Sequence, residues 1–371
     1  MIVHQWIPAA HAGDAVGDNA RALRDLFQRH GHESNIFALT IDPDLEAEIR
    51  PWSDPASREA DVTLLHFAVP SPMTDAFATL PGLRMLVYHN VTPAKFFAPF
   101  DEGIFRIASL GRRELASLVD RVDLAAGVSE FNRRELAALG FQKTAVVPLL
   151  VDVTRLTGAH PVRPLETLLQ DGLVNILFVG RLAPNKKIED HIRLAEQFKR
   201  YVDVYYRFIF VGKYDAVPRY FSAVRALIAE YQMRPERFWF TGPVPDAELA
   251  TYYRNAHAYV SLSEHEGFCV PLVEAMATDV PVLAYAAAAV PETLGGAGIS
   301  FAPKDLEYAA ELLGALIYDE PMREAVIAGQ RRRLEDFSRD RLEAMIGTGL
   351  GLWETPSRAS TRPGVQASSS P

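Results

Sequence analysis

The chain has 371 residues, 49% hydrophobic and 23% charged, the balance of a globular protein large enough for two cores rather than one. A formal charge of -9 argues against nucleic acid as a partner, and one cysteine, Cys269, excludes an internal disulfide and a cysteine-rich metal site. No stretch approaches the roughly 20 apolar residues of a membrane span and the first residues lack a signal pattern, so the expectation is a cytoplasmic protein that does not cross a bilayer.

In chain order, short apolar runs alternate with longer amphipathic ones, the pattern of strands and crossover helices in a parallel sheet. The first half predicts strands over residues 2–6, 35–38, 62–67, 85–88, 124–128 and 145–149. A covering helix over 19–30 places Ala20, Leu23, Leu26 and Phe27 on one face. Polar residues, Gly158 and two prolines break the periodicity over 152–164. The second half predicts strands over 175–179, 207–211, 238–241, 258–261 and 280–284. The expected division is therefore 1–155 and 156–337, each a doubly wound Rossmann-like α/β domain. A helix over 338–353 could cross back to the first domain, and the Ser- and Pro-rich residues 354–371 form a disordered tail.

The chemistry concentrates after the strand at 258–261, in the string SEHEGFCVPLVEAM over 263–276. A strand end, a loop with Glu266 and Gly267, and a helix starting near Val270 make an anion site that suits a diphosphate. Glu274 lies about a turn inside the helix, so two carboxylates can meet one elongated ligand and accept hydrogen bonds from its hydroxyls. A second element, VGRLAPNKK over 179–187, puts Gly180, Arg181 and Lys186 at the carboxyl edge of the second domain's first strand, where open α/β sheets bind ligands. Taken alone, two such cations are more simply read as solvated.

The 263–276 string resembles the retaining GT-B glycosyltransferases of family GT4, whose members carry two Glu residues in a context like EGFG-P-x-x-EAM. The resemblance implies a GT-B fold, two domains facing a central cleft. It also implies a retaining, metal-independent hexosyltransferase using a UDP- or GDP-sugar and a hydroxyl acceptor, with bacterial surface polysaccharide or glycolipid synthesis as the setting. Glu266 would meet the donor sugar, Glu274 the ribose, and the backbone at Gly267, Phe268, Cys269 and Val270 the sugar and phosphates. Arg181 and Lys186 would neutralise the leaving diphosphate. Cys269 stands where the family commonly has Gly, and Asp279 where a small turn residue is usual.

In the first domain, His89 and Asn90 follow the strand at 85–88. The family implies that His89 contacts the donor sugar near the reacting carbon; a loop histidine bonded to backbone is the alternative. Ser129 resembles a cleft position of the family, or is a plain helix N-cap. The loop 11–18, with Gly13 and Gly17, reads as a phosphate or acceptor loop and not as a dinucleotide fingerprint. Asp42–Pro43–Asp44 reads as a turn, and neither it nor the His30/His32 pair predicts a metal site or a cofactor. The segment 288–298 resembles a GT4 turn beside the donor pocket. Arginine pairs at 112/113 and 133/134 could touch anionic lipid on the inner membrane face, solvated helix faces being the plainer reading. The competing functions are a GT-B epimerase or phosphorylase and a nucleotide-sugar-binding protein without catalysis.

Overall fold

The computed structural model describes residues 1–11 and 13–353; the tail expected at 354–371 lies outside them. Two parallel sheets carry the molecule. The first contains β1 (Val3–Ala10), β2 (Ile36–Ile41), β3 (Arg50–Pro51), β4 (Val62–Phe67), β5 (Leu83–Tyr88), β6 (Leu124–Gly127) and β7 (Thr144–Val146), in the order β3-β2-β1-β4-β5-β6-β7. The second contains β8 (Val174–Val179), β9 (Tyr206–Val211), β10 (Phe238–Gly242), β11 (Ala258–Ser261), β12 (Val282–Tyr285) and β13 (Ile299–Phe301), in the order β10-β9-β8-β11-β12-β13. Strands such as β4 and β9 are buried at every residue because helices cover both faces, which is why they read as near-continuous apolar runs.

In each sheet the winding reverses once, between β1 and β4 and between β8 and β11. Loops leaving the carboxyl ends of strands at such a reversal diverge and open a crevice. The segments after β1, β8 and β11 therefore stand where a ligand would be taken.

Several elements differ from expectation. β1 runs on to Ala10 because Ile7 and Ala10 are buried and the strand stays in register with β2 as far as Ile41. β3 and β13 are short edge strands of two and three residues, too brief to leave a periodicity. The first helix begins at Ala15, capped by Asp14, whose carboxylate accepts from the Gly17 amide at 3.4 Å. Gly17 thus belongs to the first helical turn and not to the loop. The strand expected from Val280 starts at Val282, because Asp279 closes the preceding helix with a φ of 57°. The Asp42–Asp44 turn is a short 3-10 helix, Pro43–Leu45.

The last helix, Arg339–Leu350, packs on β7 and β6 of the first sheet. Trp353 stacks on His30 with ring centroids 4.3 Å apart and meets Phe27 edge-on, and Arg29 pairs with Glu343 at 2.5 Å. The chain so crosses between the two sheets twice, and that double crossing ties their separation. Among the described residues no helix is long and apolar enough to cross a membrane. Of the paired arginines, Arg133 and Arg134 are both bonded to Glu130, and Arg112 to Glu135.

Candidate functional site

On the second sheet, the loop after β11 is held by its neighbour after β8. The Asn185 amide donates to the His265 carbonyl at 3.0 Å, and the Glu264 amide to the Asn185 carbonyl at 2.9 Å. Lys304 donates to Asp190 (2.7 Å), to the Leu262 carbonyl (2.9 Å) and to Glu264 (3.1 Å), anchoring the root of the loop. Within this frame Lys186 Nζ sits 2.6 Å from both oxygens of the buried Glu266 carboxylate. Sequence alone could not pair them, being 80 residues apart.

Behind Glu266 runs the helix Val270–Ala277, whose first amides have no preceding helical carbonyl to bond. Cys269 precedes it with a φ of 74°, which explains why glycine suits this position in similar chains. Burial pushes its thiol well above the ordinary range, so the residue stays a neutral small side chain. Glu274 is 3% exposed and accepts from the Tyr253 hydroxyl at 2.8 Å and from the Arg155 guanidinium. Burial raises its carboxyl above the usual value despite Arg155 pulling the other way. Arg155 also pairs with Asp246 at 2.5 Å. It lies inside the stretch that reads from sequence as a mere break, and no pattern there signals its role.

Across the cleft, β5 ends at Tyr88 and delivers His89 and Asn90, the latter with a φ of 83°. Asn90 donates to Asn132 at 2.8 Å, which leaves its carbonyl oxygen to accept from His265 Nε2 at 2.6 Å. That bond joins the two domains. At Gly267 a Cβ would lie 2.8 Å from both the Asn90 Cβ and the His89 carbonyl oxygen, so only glycine permits this approach. Glu292 adds a third tie, its carboxylate accepting from the amides of Glu130 (2.6 Å) and Phe131 (3.1 Å) at the start of the helix Glu130–Leu139. Ser129 is buried and its hydroxyl accepts from the Asn132 amide at 3.2 Å, so it serves as that helix's N-cap.

A cavity of about 530 Å³ lies between the two carboxyl edges. His89 and Asn90 line it from one domain and Arg181 from the other, with His11 and Asp14 at the end of β1 and apolar walls that include Val69 and Ile107. Gly13 forms the turn between His11 and Asp14 with a φ of 74°. Gly180 follows β8 directly and its amide donates to the Val211 carbonyl. Glu266, Lys186 and Glu274 are not on the cavity wall. Glu266 and Glu274 are buried and Lys186 is half-buried, with Phe268 and Val270 between the two Glu residues in the chain. Among the described residues no group of three or more His, Cys, Asp or Glu side chains could hold a metal ion.

His66, His89, His191 and His265 are held neutral. Burial lowers His89 to about 3, His265 and His191 each to about 4, and His66 in the same direction. In the unfolded chain these groups titrate near 6.5. Below that value the unfolded chain takes up protons that the folded chain refuses, so the stability present above about pH 6.5 is lost as pH falls toward 4. We expect the urea midpoint to drop steadily between pH 6.5 and 4.5; a flat midpoint over that range would contradict the neutral buried state.

Ala288 is a further left-handed position near the site, with a φ of 53°. A left-handed conformation disfavours an L-residue by about 1–2 kcal/mol. Ala288→Gly is expected to stabilise the fold by up to about 1 kcal/mol, some relief being offset by chain entropy, as measured by thermal unfolding.

Residues 166–333 match the family model for glycosyl transferases group 1. The putative colanic acid biosynthesis glycosyltransferase WcaL of Salmonella typhimurium is 27% identical over 340 residues, covering 87% of this chain and 76% of that protein. The O-antigen chain mannosyltransferase B of Escherichia coli is 26% identical over 232 residues, and the match spans 61% of this chain but 60% of its own length. Among solved structures, sucrose-phosphate synthase from Thermosynechococcus elongatus superposes with a TM-score of 0.72 at 17% identity, covering 94% of this chain and 98% of that one. HepE from Anabaena, in complex with UDP and glucose, gives 0.72 at 15% identity, covering 95% and 100%. The fold is GT-B.

Proposed function

We propose, from the match of residues 166–333 to the group 1 glycosyl transferases, that the protein moves a hexose from a UDP- or GDP-sugar to a hydroxyl acceptor with retention at the anomeric carbon. The setting is bacterial surface polysaccharide or glycolipid synthesis. One observation carries this reading: Arg181 from the second domain and His89 from the first line one cavity, with Lys186 and Glu266 paired beside it. The relatives named for O-antigen and colanic acid synthesis support the setting.

In the reaction the anomeric C–O bond to the diphosphate breaks as the acceptor oxygen bonds to the same carbon from the same face. The acceptor proton passes to the departing phosphate oxygen. Charge grows on the diphosphate, and Arg181 and Lys186 supply two fixed positive charges to meet it without a metal ion. Glu266 takes hydroxyls of the sugar, while its bond to Lys186 keeps that cation in place. Glu274 takes the ribose hydroxyls, which requires the donor to displace or join Arg155 there.

Thermal shift against UDP, GDP and their hexose conjugates tests donor recognition, since a ligand bound to the native state raises its stability. The midpoint should rise with one diphosphate family, and Glu274→Ala should lose most of that rise while keeping its own cooperative transition. No shift with either family, or an undiminished shift in Glu274→Ala, would overturn the assignment.

A further inference from the structure

Behind His89 lies a row of buried polar groups that the reaction above does not use. Gln5, on β1, is fully buried, and its Nε2 donates to the Ala20 carbonyl at 3.0 Å. His66, on β4, is also fully buried; its Nε2 lies 2.9 Å from Gln5 Oε1, and its Nδ1 lies 2.8 Å from His89 Nε2. The strands β1, β4 and β5 are adjacent in the sheet, so the three side chains form one transverse row that ends at the cavity.

The direction of every hydrogen in this row is determined. The Ala20 carbonyl only accepts, so the Gln5 amide turns its nitrogen there and its oxygen to His66. That oxygen also only accepts, so His66 carries its hydrogen on Nε2. Neutral His66 then offers a lone pair at Nδ1, and His89 must give its Nε2 hydrogen to it. His89 is left with a lone pair on Nδ1, on the half-buried side chain that lines the cavity. The reverse polarity would set a Gln5 N–H against the His66 N–H or leave the Ala20 carbonyl unbonded, both costly in a buried site.

We propose that Gln5 and His66 are positioning residues that fix His89 as a neutral hydrogen-bond acceptor, its Nδ1 offered to one hydroxyl of the transferred sugar. His89 is thereby neither a general acid nor a cation at the reacting centre. The donor must present a hydroxyl hydrogen at that point, so the site selects sugars bearing a free hydroxyl there over the matching deoxy sugar. This rests on the donor-sugar reading of His89.

The polarity is read directly by 15N NMR of the full chain with imidazole-labelled histidine. His89 is expected to show a protonated Nε2 and an unprotonated Nδ1, unchanged from pH 8 to pH 6. An unprotonated Nε2, or averaging of the two nitrogens, overturns the proposal whether or not any donor is turned over. His66→Gln keeps a polar group of either polarity next to His89 and so removes the bias without emptying the core. In that variant the His89 nitrogens should average. kcat/KM should fall about tenfold, the value of one neutral hydrogen bond. Against monodeoxy donors, the parent should lose about tenfold at one sugar position, and His66→Gln should lose nothing further there. The same deoxy penalty in both proteins also overturns the proposal. Gln5→Leu is the second variant: it should reproduce the averaging if His66 misfolds when replaced.

Discussion

Arg181→Ala is expected to lower the rate of sugar transfer by 10²–10³-fold, the usual consequence of removing one fixed group that stabilises developing charge. Arg181 stands exposed at the end of β8 and lines the cavity, so no buried partner is stranded by its removal. Folding should be untouched. Ground-state binding of the nucleotide should change less, because the proposed ribose contact at Glu274 is left in place. The signature is therefore a fall in kcat with a nearly constant dissociation constant for the nucleoside diphosphate. Arg181→Lys should recover only part of the loss, since a point charge on a flexible stem does not reproduce the planar fork that grips two oxygens at once. Equal rates for Arg181→Ala and the parent, at saturating donor, would remove this residue from the leaving-group role.

Gly267→Ala should cost about a hundredfold in transfer through a different route. The added methyl would meet the Asn90 Cβ and the His89 carbonyl oxygen at 2.8 Å, and both belong to the opposite domain. Neither is the end of a flexible chain, so the domains must separate by a few tenths of an ångström or more. Such a shift moves His89 and Asn90 away from Glu266 and Arg181, and small misplacements of a reacting geometry are costly in rate. It also stretches the 2.6 Å bond between His265 and Asn90. Nucleotide affinity, if held by the second domain as proposed, should survive. Small-angle scattering with bound nucleotide should show a more open particle than the parent. An active, equally compact Gly267→Ala protein would mean that the approach of the two loops is not needed for turnover.

The fold was legible because its strands announce themselves. Runs such as Val62–Phe67 and Ala258–Ser261 are buried on both faces and carry no competing period. The edge strands Arg50–Pro51 and Ile299–Phe301 were not legible, having two and three residues and one neighbour each. The C-terminal return to the first sheet was visible as a helix left over after the second, but its anchor, Trp353 on His30, depends on residues more than three hundred apart.

At the site, the string around Glu266 and Glu274 carries a strand, a tight loop and a helix start in sequence order, so local chemistry could be read from it. What binds those carboxylates could not. Lys186 reaches Glu266 and Arg155 reaches Glu274 only because the loops after β8 and the crossing segment converge in space. Gln5, His66 and Glu292 were likewise silent: a buried polar residue within an apolar strand looks like noise until its partners are placed beside it. Ser129 shows the opposite case: the helix N-cap that its sequence offered as one of two readings is present in the fold.

The most direct test is proton NMR of the protein with UDP- and GDP-hexoses and a saccharide acceptor, following the anomeric signals in time. A nucleoside diphosphate should be released from one donor family in step with a product whose anomeric configuration equals that of the donor. A product of inverted configuration, or no loss of either donor under conditions in which the diphosphate is bound, would contradict it.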